Sequence, residues 1–145
     1  MTRYDTNLAA EFYVLSMLHR IGAAASLTLG HRKSVDIFVA LPNGSTITID
    51  VKGLAKSYDW PADNIRLPAN PSHFIALLSF EGNISDPLHA QNVWILPANK
   101  LSPFIKKYRT RTVVSRSLIR KNGTEYLNNW GPFIPDDSDE DSSTR

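Results

Sequence analysis

Two β-rich runs, Val35-Asp36-Ile37-Phe38-Val39-Ala40-Leu41 and Thr46-Ile47-Thr48-Ile49-Asp50-Val51-Lys52, flank the turn Pro42-Asn43-Gly44-Ser45. Asn-Gly between such runs is the strongest short-range hairpin signal, because both residues tolerate the positive φ of tight turns. The rest of the chain must build on that hairpin. In the second run Ile47, Ile49 and Val51 point one way, while Thr46, Thr48, Asp50 and Lys52 point the other. A half-exposed strand accounts for the alternation. It does not account for a carboxylate and an ammonium two residues apart on one face, with a second carboxylate, Asp36, near the start of the partner strand.

Loop length decides whether Asp36 joins that face. A two-residue loop at Asn43-Gly44 pairs Ile37 with Asp50 and leaves Asp36 on the apolar face. A three-residue loop, or a Gly bulge at Gly44, pairs Phe38 with Asp50 and Asp36 with Lys52. That gathers Asp36, Asp50 and Lys52 on one face, with diagonal neighbours roughly 7–8 Å apart or less. The odd loop is expected, since the alternative buries an unpaired carboxylate among Ile and Val.

A chain of 145 residues, 42% apolar and with three Trp, is long enough for one domain with a real core. The absence of Cys excludes disulfides and thiolate metal sites and fits a reducing compartment. Asp5 and Glu11 interrupt what would be the core of a signal peptide, and no run approaches the ~18–20 apolar residues of a membrane span. The chain therefore reads as soluble, intracellular and cytoplasmic, with no membrane partner.

The net charge of +2 hides a division. Residues 1–135 hold 15 Lys and Arg against 9 Asp and Glu, a surplus of six, while residues 136–145 hold five acids against Arg145. From Pro87 to Thr124 there is no acid, but Lys100, Lys106, Lys107, Arg109, Arg111, Arg116, Arg120 and Lys121 accumulate. A basic body suits a polyanion, although a solvated basic surface is the plain alternative. Arg32 and Lys33 in the loop before Asp36, Lys56 after the second run, and Lys106, Lys107 and Arg109 are the candidate nucleic-acid contacts.

In chain order, a helix over Thr6–Arg20 is expected, capped by Asp5 or Thr6 and stopped by Gly22. Leu8, Phe12, Leu15 and His19 fall on one of its faces, with Glu11 at that face's edge. Ala23–Leu29 reads as a short strand. The long connection Gly53–Pro71, with Tyr58, Trp60 and Arg66, is a loop of the kind that borders sites. His73–Phe80 is a near-continuous apolar run, the mark of a central strand. Asn92–Leu96 is another strand closed by Pro97, Leu101–Tyr108 a helix with Pro103 in its first turn, and Thr112–Val114 an edge strand. Tyr126, Leu127, Trp130 and Phe133 should tuck the chain's end onto the body. The expected organisation is an α/β domain over 1–135, with a mixed sheet and packed helices, followed by a disordered acidic tail over 136–145.

The four His show no metal-ligand spacing, and neither a Gly-rich phosphate loop nor a nucleophile elbow is present. What remains is Glu11, Asp36, Asp50 and Lys52. This constellation resembles the PD-(D/E)XK nuclease superfamily, whose restriction-endonuclease-like core is a helix followed by a three-stranded meander and further α/β elements. The matching span is about Asn7–Gly53, with weaker similarity at Trp94-Ile95-Leu96-Pro97. Asn7-Leu8-Ala9-Ala10-Glu11, followed by Leu15, Leu18 and Gly22, looks like the first helix of Holliday-junction-resolvase-like members, which contributes a glutamate. The superfamily's first aspartate falls on Asp36, with Val35 where a proline is usual, and its acid-x-Lys falls on Asp50-Val51-Lys52.

The resemblance implies a Mg²⁺-dependent endonuclease, with Mn²⁺ as a substitute, hydrolysing phosphodiester bonds in nucleic acid, DNA before RNA; a homodimer is compatible with it. Asp36 and Asp50 then hold the metal, the Val51 carbonyl adds a ligand, and Glu11 acts directly or through water. Mg²⁺ commonly takes one or two carboxylates and completes its shell with water and phosphate oxygens. Lys52 is implied to orient the attacking water and stabilise the anionic transition state. Two alternatives stand beside this. The charges are plain ion pairs at a strand end, worth ~0–1 kcal/mol if exposed, or the fold is a non-catalytic module binding nucleic acid or protein.

Overall fold

The structure, a computed structural model, describes residues 2–28, 36–65 and 71–135. Arg32, Lys33 and the acidic tail lie outside the described residues.

Helix α1 (Arg3–Arg20) starts earlier than Thr6 because Thr2 supplies the cap. Its hydroxyl accepts the Asp5 N–H at 3.1 Å, and the Asp5 carboxylate accepts the Thr2 N–H at 3.0 Å. This reciprocal arrangement satisfies two of the free donors at the helix start. Asp5 is thus the cap's partner, not the cap. The helix stops at Ile21, and Gly22 (φ +85°) takes the left-handed position that ends it. Its buried stripe is Thr6, Ala10, Val14 and Leu18. The expected stripe was wrong: Phe12 is 53% exposed, and Leu8 and Leu15 are only partly buried. Small side chains won over large ones because the helix docks very close to the sheet, as Gly53 shows below.

Strands β1 (Ala24–Leu27), β2 (Ile37–Ala40) and β3 (Thr46–Leu54) form an antiparallel meander. The β2–β3 turn is the odd one. Leu41 N–H donates to Ser45 O (2.9 Å) and Gly44 N–H to Leu41 O (3.0 Å), leaving a three-residue loop with Gly44 at φ +88°. Its register differs by two residues from the expected one. Ile37 pairs with Ile49 and Phe38 with Thr48; the ladder ends there, and Asp36, whose N–H donates to Ile49 O at 2.9 Å, neighbours Asp50 instead of pairing with Lys52. The parity that fixes the face is kept, and the partner changes.

Strand β4 (Trp60–Pro61) belongs to a second sheet. Strand β5 (His73–Ser79) is buried at all seven residues, as a strand covered on both faces must be. It runs parallel to β3 and antiparallel to β6 (Asn92–Pro97), giving a mixed sheet in the order β1-β2-β3-β5-β6. Alternation along β5 divides the core. Phe74, Ala76 and Leu78 pack with Val14, Leu18, Ile49, Val51 and Phe133 under α1. Ile75 and Leu77 pack on the other side with Trp60, Trp94, Leu101, Phe104, Val114 and Ile119.

No helix spans Leu101–Tyr108. Two 3-10 turns, Ala98–Lys100 and Ser102–Phe104, lead into strand β7 (Ile105–Lys107). Leu101 and Phe104 both bury at a spacing of three, which suits one tight turn, and Ile105 then finds Val114 as a ladder partner. Strand β8 (Thr112–Val114) lies between β4 and β7 and is not an edge. Helix α2 (Arg116–Asn122) follows, capped by Ser115. Beyond it, Asn128 exchanges backbone and side-chain bonds with Val93, and Phe133 packs edge-on to Phe74 at 5.1 Å. The fold is α/β, with an N-terminal helix, a meander and a mixed sheet, as the sequence implied. Among the described residues no helix is long and apolar enough to cross a membrane.

Candidate active site

The site grows from a mismatch in strand length. β2 begins at Ile37, opposite Ile49, while β3 continues to Leu54. The second half of β3 is therefore paired on the β5 side only, leaving a notch where β2 is missing. Asp36 fills the first position of that notch with its side chain: its carboxylate accepts the Val51 N–H at 2.7 Å. The N–H and C=O of a strand residue point to the same side, so the Val51 carbonyl opens on the same notch.

Asp50 is 4% exposed and its carboxyl is hydrogen-bonded to that of Asp36. Burial pushes its pKa up to about 7; Lys52 pulls it down, while the Asp36 hydrogen bond and charge add to the rise. The Lys52 ammonium stands 3.5 Å from Asp50 Oδ2, which by itself argues for a charged Asp50. Burial wins because that ammonium, at 26% exposure, keeps water around it. Burial thus favours the protonated form of Asp50 well above the usual carboxylate range, with Asp36 as its neighbour.

Glu11 reaches the notch from α1, and Gly53 sets how closely. A Cβ at position 53 falls 2.5 Å from Ala10 Cβ and 3.4 Å from Thr6 O, so only glycine lets the helix approach so near. Burial raises the Glu11 pKa, and the charge of Asp36 adds to that, opposed by Lys52. Opposite α1, Trp60, Pro61, Asp63 and Asn64 close the cleft, which has a volume of about 490 Å³ and is lined also by Arg3, Asn7, Glu11, Asp36, Asp50, Val51 and Lys52. The Trp60 indole donates to Leu78 O at 3.0 Å, pinning that wall to β5.

Glu11, Asp36, Asp50, Val51 and Lys52 are therefore brought together. Lys56 is not: it is exposed in the turn after β3, outside the cleft lining. Lys106, Lys107 and Arg109 are exposed on the β7–β8 hairpin. Sequence reasoning missed Arg3 and Asn7, although Arg3, Asn7 and Glu11 recur every four residues along one line of α1. It also missed Asp63, for which nothing in the sequence stood out. At the other end of the β3–β5 pair, Thr48 Oγ1 and His73 Nδ1 lie 2.7 Å apart, and burial lowers the pKa of His73.

Among the described residues no three His, Cys, Asp or Glu side chains form a ready metal cage. Two carboxyls and a carbonyl on one notch, one of the carboxyls with its pKa raised by burial, are a donor set that fits Mg²⁺ with phosphate and water completing the shell.

The fold is similar to that of a solved bacterial homing endonuclease, I-Ssp6803I, at 15% sequence identity and a TM-score of 0.58 over 92% of this chain and 94% of that one. No protein-family model matches the chain, and no curated protein matches it. The chain thus shares its α/β fold, over nearly its whole length, with an endonuclease.

Proposed function

We propose that this chain is a Mg²⁺-dependent nuclease of the PD-(D/E)XK type, hydrolysing phosphodiester bonds in DNA. The observation that carries the reading is the meeting of Asp36 and Asp50 across the notch, with Lys52 3.5 Å away and Glu11 behind. A buried carboxyl, Asp50, beside a half-buried one, Asp36, with a single ammonium between them and solvent, is costly as scaffold and useful as a cation site.

Asp36, Asp50 and the Val51 carbonyl would hold the ion. When bound, the ion lowers the pKa of a coordinated water and neutralises charge developing on the phosphate. Asp50 must first release its proton. Lys52, in the cleft lining and part-exposed, would place its positive charge against the phosphate oxygens and orient the attacking water. Glu11, whose pKa is raised, takes a hydrogen bond from water in the cleft. The Trp60 wall limits solvent, which strengthens each of these interactions.

Asp50→Asn keeps the side chain's shape and removes its charge. It should abolish Mg²⁺-dependent strand cleavage while leaving DNA binding intact, measured on duplex, branched and single-stranded substrates. Lys52→Met should also lose cleavage, yet retain divalent-ion binding by calorimetry. Thr48→Ala, outside the cleft, should stay active. If the unmodified protein cuts no substrate with Mg²⁺ or Mn²⁺ and calorimetry finds no ion binding that Asp50→Asn removes, the reading is wrong and a non-catalytic module takes its place.

A further inference from the structure

We propose that the β7–β8 hairpin is a DNA-contacting ribbon that meets the major groove of duplex DNA with one face only, the face carrying Lys106, Tyr108 and Arg111. The choice of nucleic acid rests on the nuclease reading; the choice of element and face rests on register.

The hairpin is a fixed extension of the cleft wall. β8 lies between β4 and β7, and β4 contributes Trp60 and Pro61 to the cleft. Ala62 N–H donates to Thr112 O at 2.9 Å, and Thr112 N–H donates to the carboxylate of Asp63, another cleft residue, at 3.0 Å. The ribbon is therefore tied by hydrogen bonds to a wall of the cleft that holds Asp50.

Register then sorts its side chains. Pro61 pairs with Val113 and Val113 with Lys106, so these three form one row across the sheet and share a face. Pro61 in that row lines the cleft. Val113 between them is itself buried, at 1% exposure, so at ~4.8 Å per strand Pro61 and Lys106 flank it roughly 10 Å apart. Tyr108 N–H donates to Arg111 O at 2.7 Å, which continues the register and puts Tyr108 and Arg111 on the Lys106 face, with Arg109 and Thr110 as the tip. The Arg111 guanidinium lies over the Tyr108 ring at 5.7 Å, holding a cation on that face. The row Trp60–Val114–Ile105 is the opposite face, and it is buried against the core. Lys107, paired with Thr112, belongs to that opposite side. Lys106 and Lys107 are adjacent in sequence and point to different surfaces.

Dimensions favour duplex DNA. A B-form major groove, about 12 Å wide and about 8.5 Å deep, admits a two-stranded ribbon. The major groove of an RNA duplex is too narrow for side chains to read. Between Pro87 and Thr124 the chain has no acid of its own, and the Asp63 carboxylate that meets the ribbon is engaged by Thr112 N–H. Arg116, the next cation in the chain, is engaged with Glu81 at 3.2 Å.

The test uses full-length protein carrying Asp50→Asn, which prevents cleavage, with a labelled random-sequence DNA duplex and an RNA duplex of matching sequence. Affinity is followed by fluorescence anisotropy across a salt series. Lys106→Ala and Arg111→Ala should each lower the slope of log K against log salt by about 1. Lys107→Ala should lower it by less than about 0.3. Methyl green, a major-groove ligand, should compete, and distamycin, a minor-groove ligand, should not. Equal effects of Lys106→Ala and Lys107→Ala, or RNA binding as tight as DNA binding, or competition by distamycin alone, each overturn the proposal. If the unmodified protein cuts DNA while the two Lys variants behave alike, the hairpin assignment falls and the nuclease reading stands. If the unmodified protein neither binds nor cuts DNA, the nuclease reading falls and takes the hairpin with it.

Discussion

Burial lets Asp50 keep its proton to a higher pH than the unfolded chain would. Its pKa moves from 3.8 when unfolded to about 7 when folded. The folded state therefore binds more protons between those values, and stability falls as pH rises through that window. The contribution is fully present below about pH 4 and lost above about pH 7, a difference on the order of a few kcal/mol. Asp50→Asn imitates the protonated carboxyl, since its amide donates to Asp36 as the acid does. In metal chelator the variant should match the parent near pH 4 and exceed it in denaturant midpoint by pH 8; parallel pH profiles for the two proteins would show that Asp50 is not the group responsible. For the same reason Mg²⁺ affinity should climb through pH 7, when Asp50 gives up its proton. That Asp36, Asp50 and Lys52 gather in one cleft was legible because carboxylates beside a Lys in a β-rich run have few structural uses, and Glu11 joined them through its place at the edge of a helix face and through the family resemblance. That Asp36 meets Asp50 rather than Lys52 was not, because a three-residue loop fits on Asn43-Gly44-Ser45 as well as on Pro42-Asn43-Gly44, and the two placements differ by two residues in register.

At the scale of elements, the contact between α1 and β3 positions the cleft. Gly53 follows Lys52 directly and lets Ala10 approach, and Ala10 is the neighbour of Glu11. Gly53→Ala should destabilise the protein by about 1–3 kcal/mol through overpacking, and should cut activity further by moving Glu11 outward. Ala10→Gly in the same chain should relieve the clash and restore part of both, as read by denaturant midpoint and cleavage rate; no restoration would place the strain elsewhere. The hairpin and β5 were legible from local signals, an Asn-Gly turn and a run apolar on both faces. The inward face of α1 was not, because Leu8, Phe12 and Leu15 form the more hydrophobic stripe and only the glycine on a distant strand makes Thr6-Ala10-Val14 the better fit. β7 was misread as a helix for the same kind of reason: Ile105 is decided by Val114, a partner that local pattern does not reveal.

Across the whole molecule, charge is segregated along the chain. Residues 1–135 carry a surplus of six positive charges, and the last ten residues carry five acids. A polyanionic segment tethered to a basic body competes with phosphates at low ionic strength and is screened beyond a Debye length of about 10 Å at 0.1 M salt. Truncation after Pro135 should tighten DNA binding several-fold in low salt and have no effect near physiological salt, measured by the same anisotropy titration. Identical affinities at low salt would leave the tail a solubilising appendage. The α/β class was legible from the alternation of strand-like and helix-like runs. The two-sheet arrangement was not, since β4 has only two residues, Trp60 and Pro61, and owes its existence to β8.

The notch beside β3 also has a history within each folding event. Asp36 and Asp50 belong to a local hairpin, which closes in about 1–10 μs. The parallel β3–β5 pairing and the docking of α1 close longer loops and come later. The two carboxyls therefore meet while still hydrated, when their repulsion is small. Only as β5 and α1 expel water does burial, with the Asp36 charge adding to it, raise the Asp50 pKa enough to draw in a proton. Proton uptake accompanies the drying of the notch rather than the pairing of its strands, and a chain emerging from its N-terminus carries both acids charged until β5 has been made.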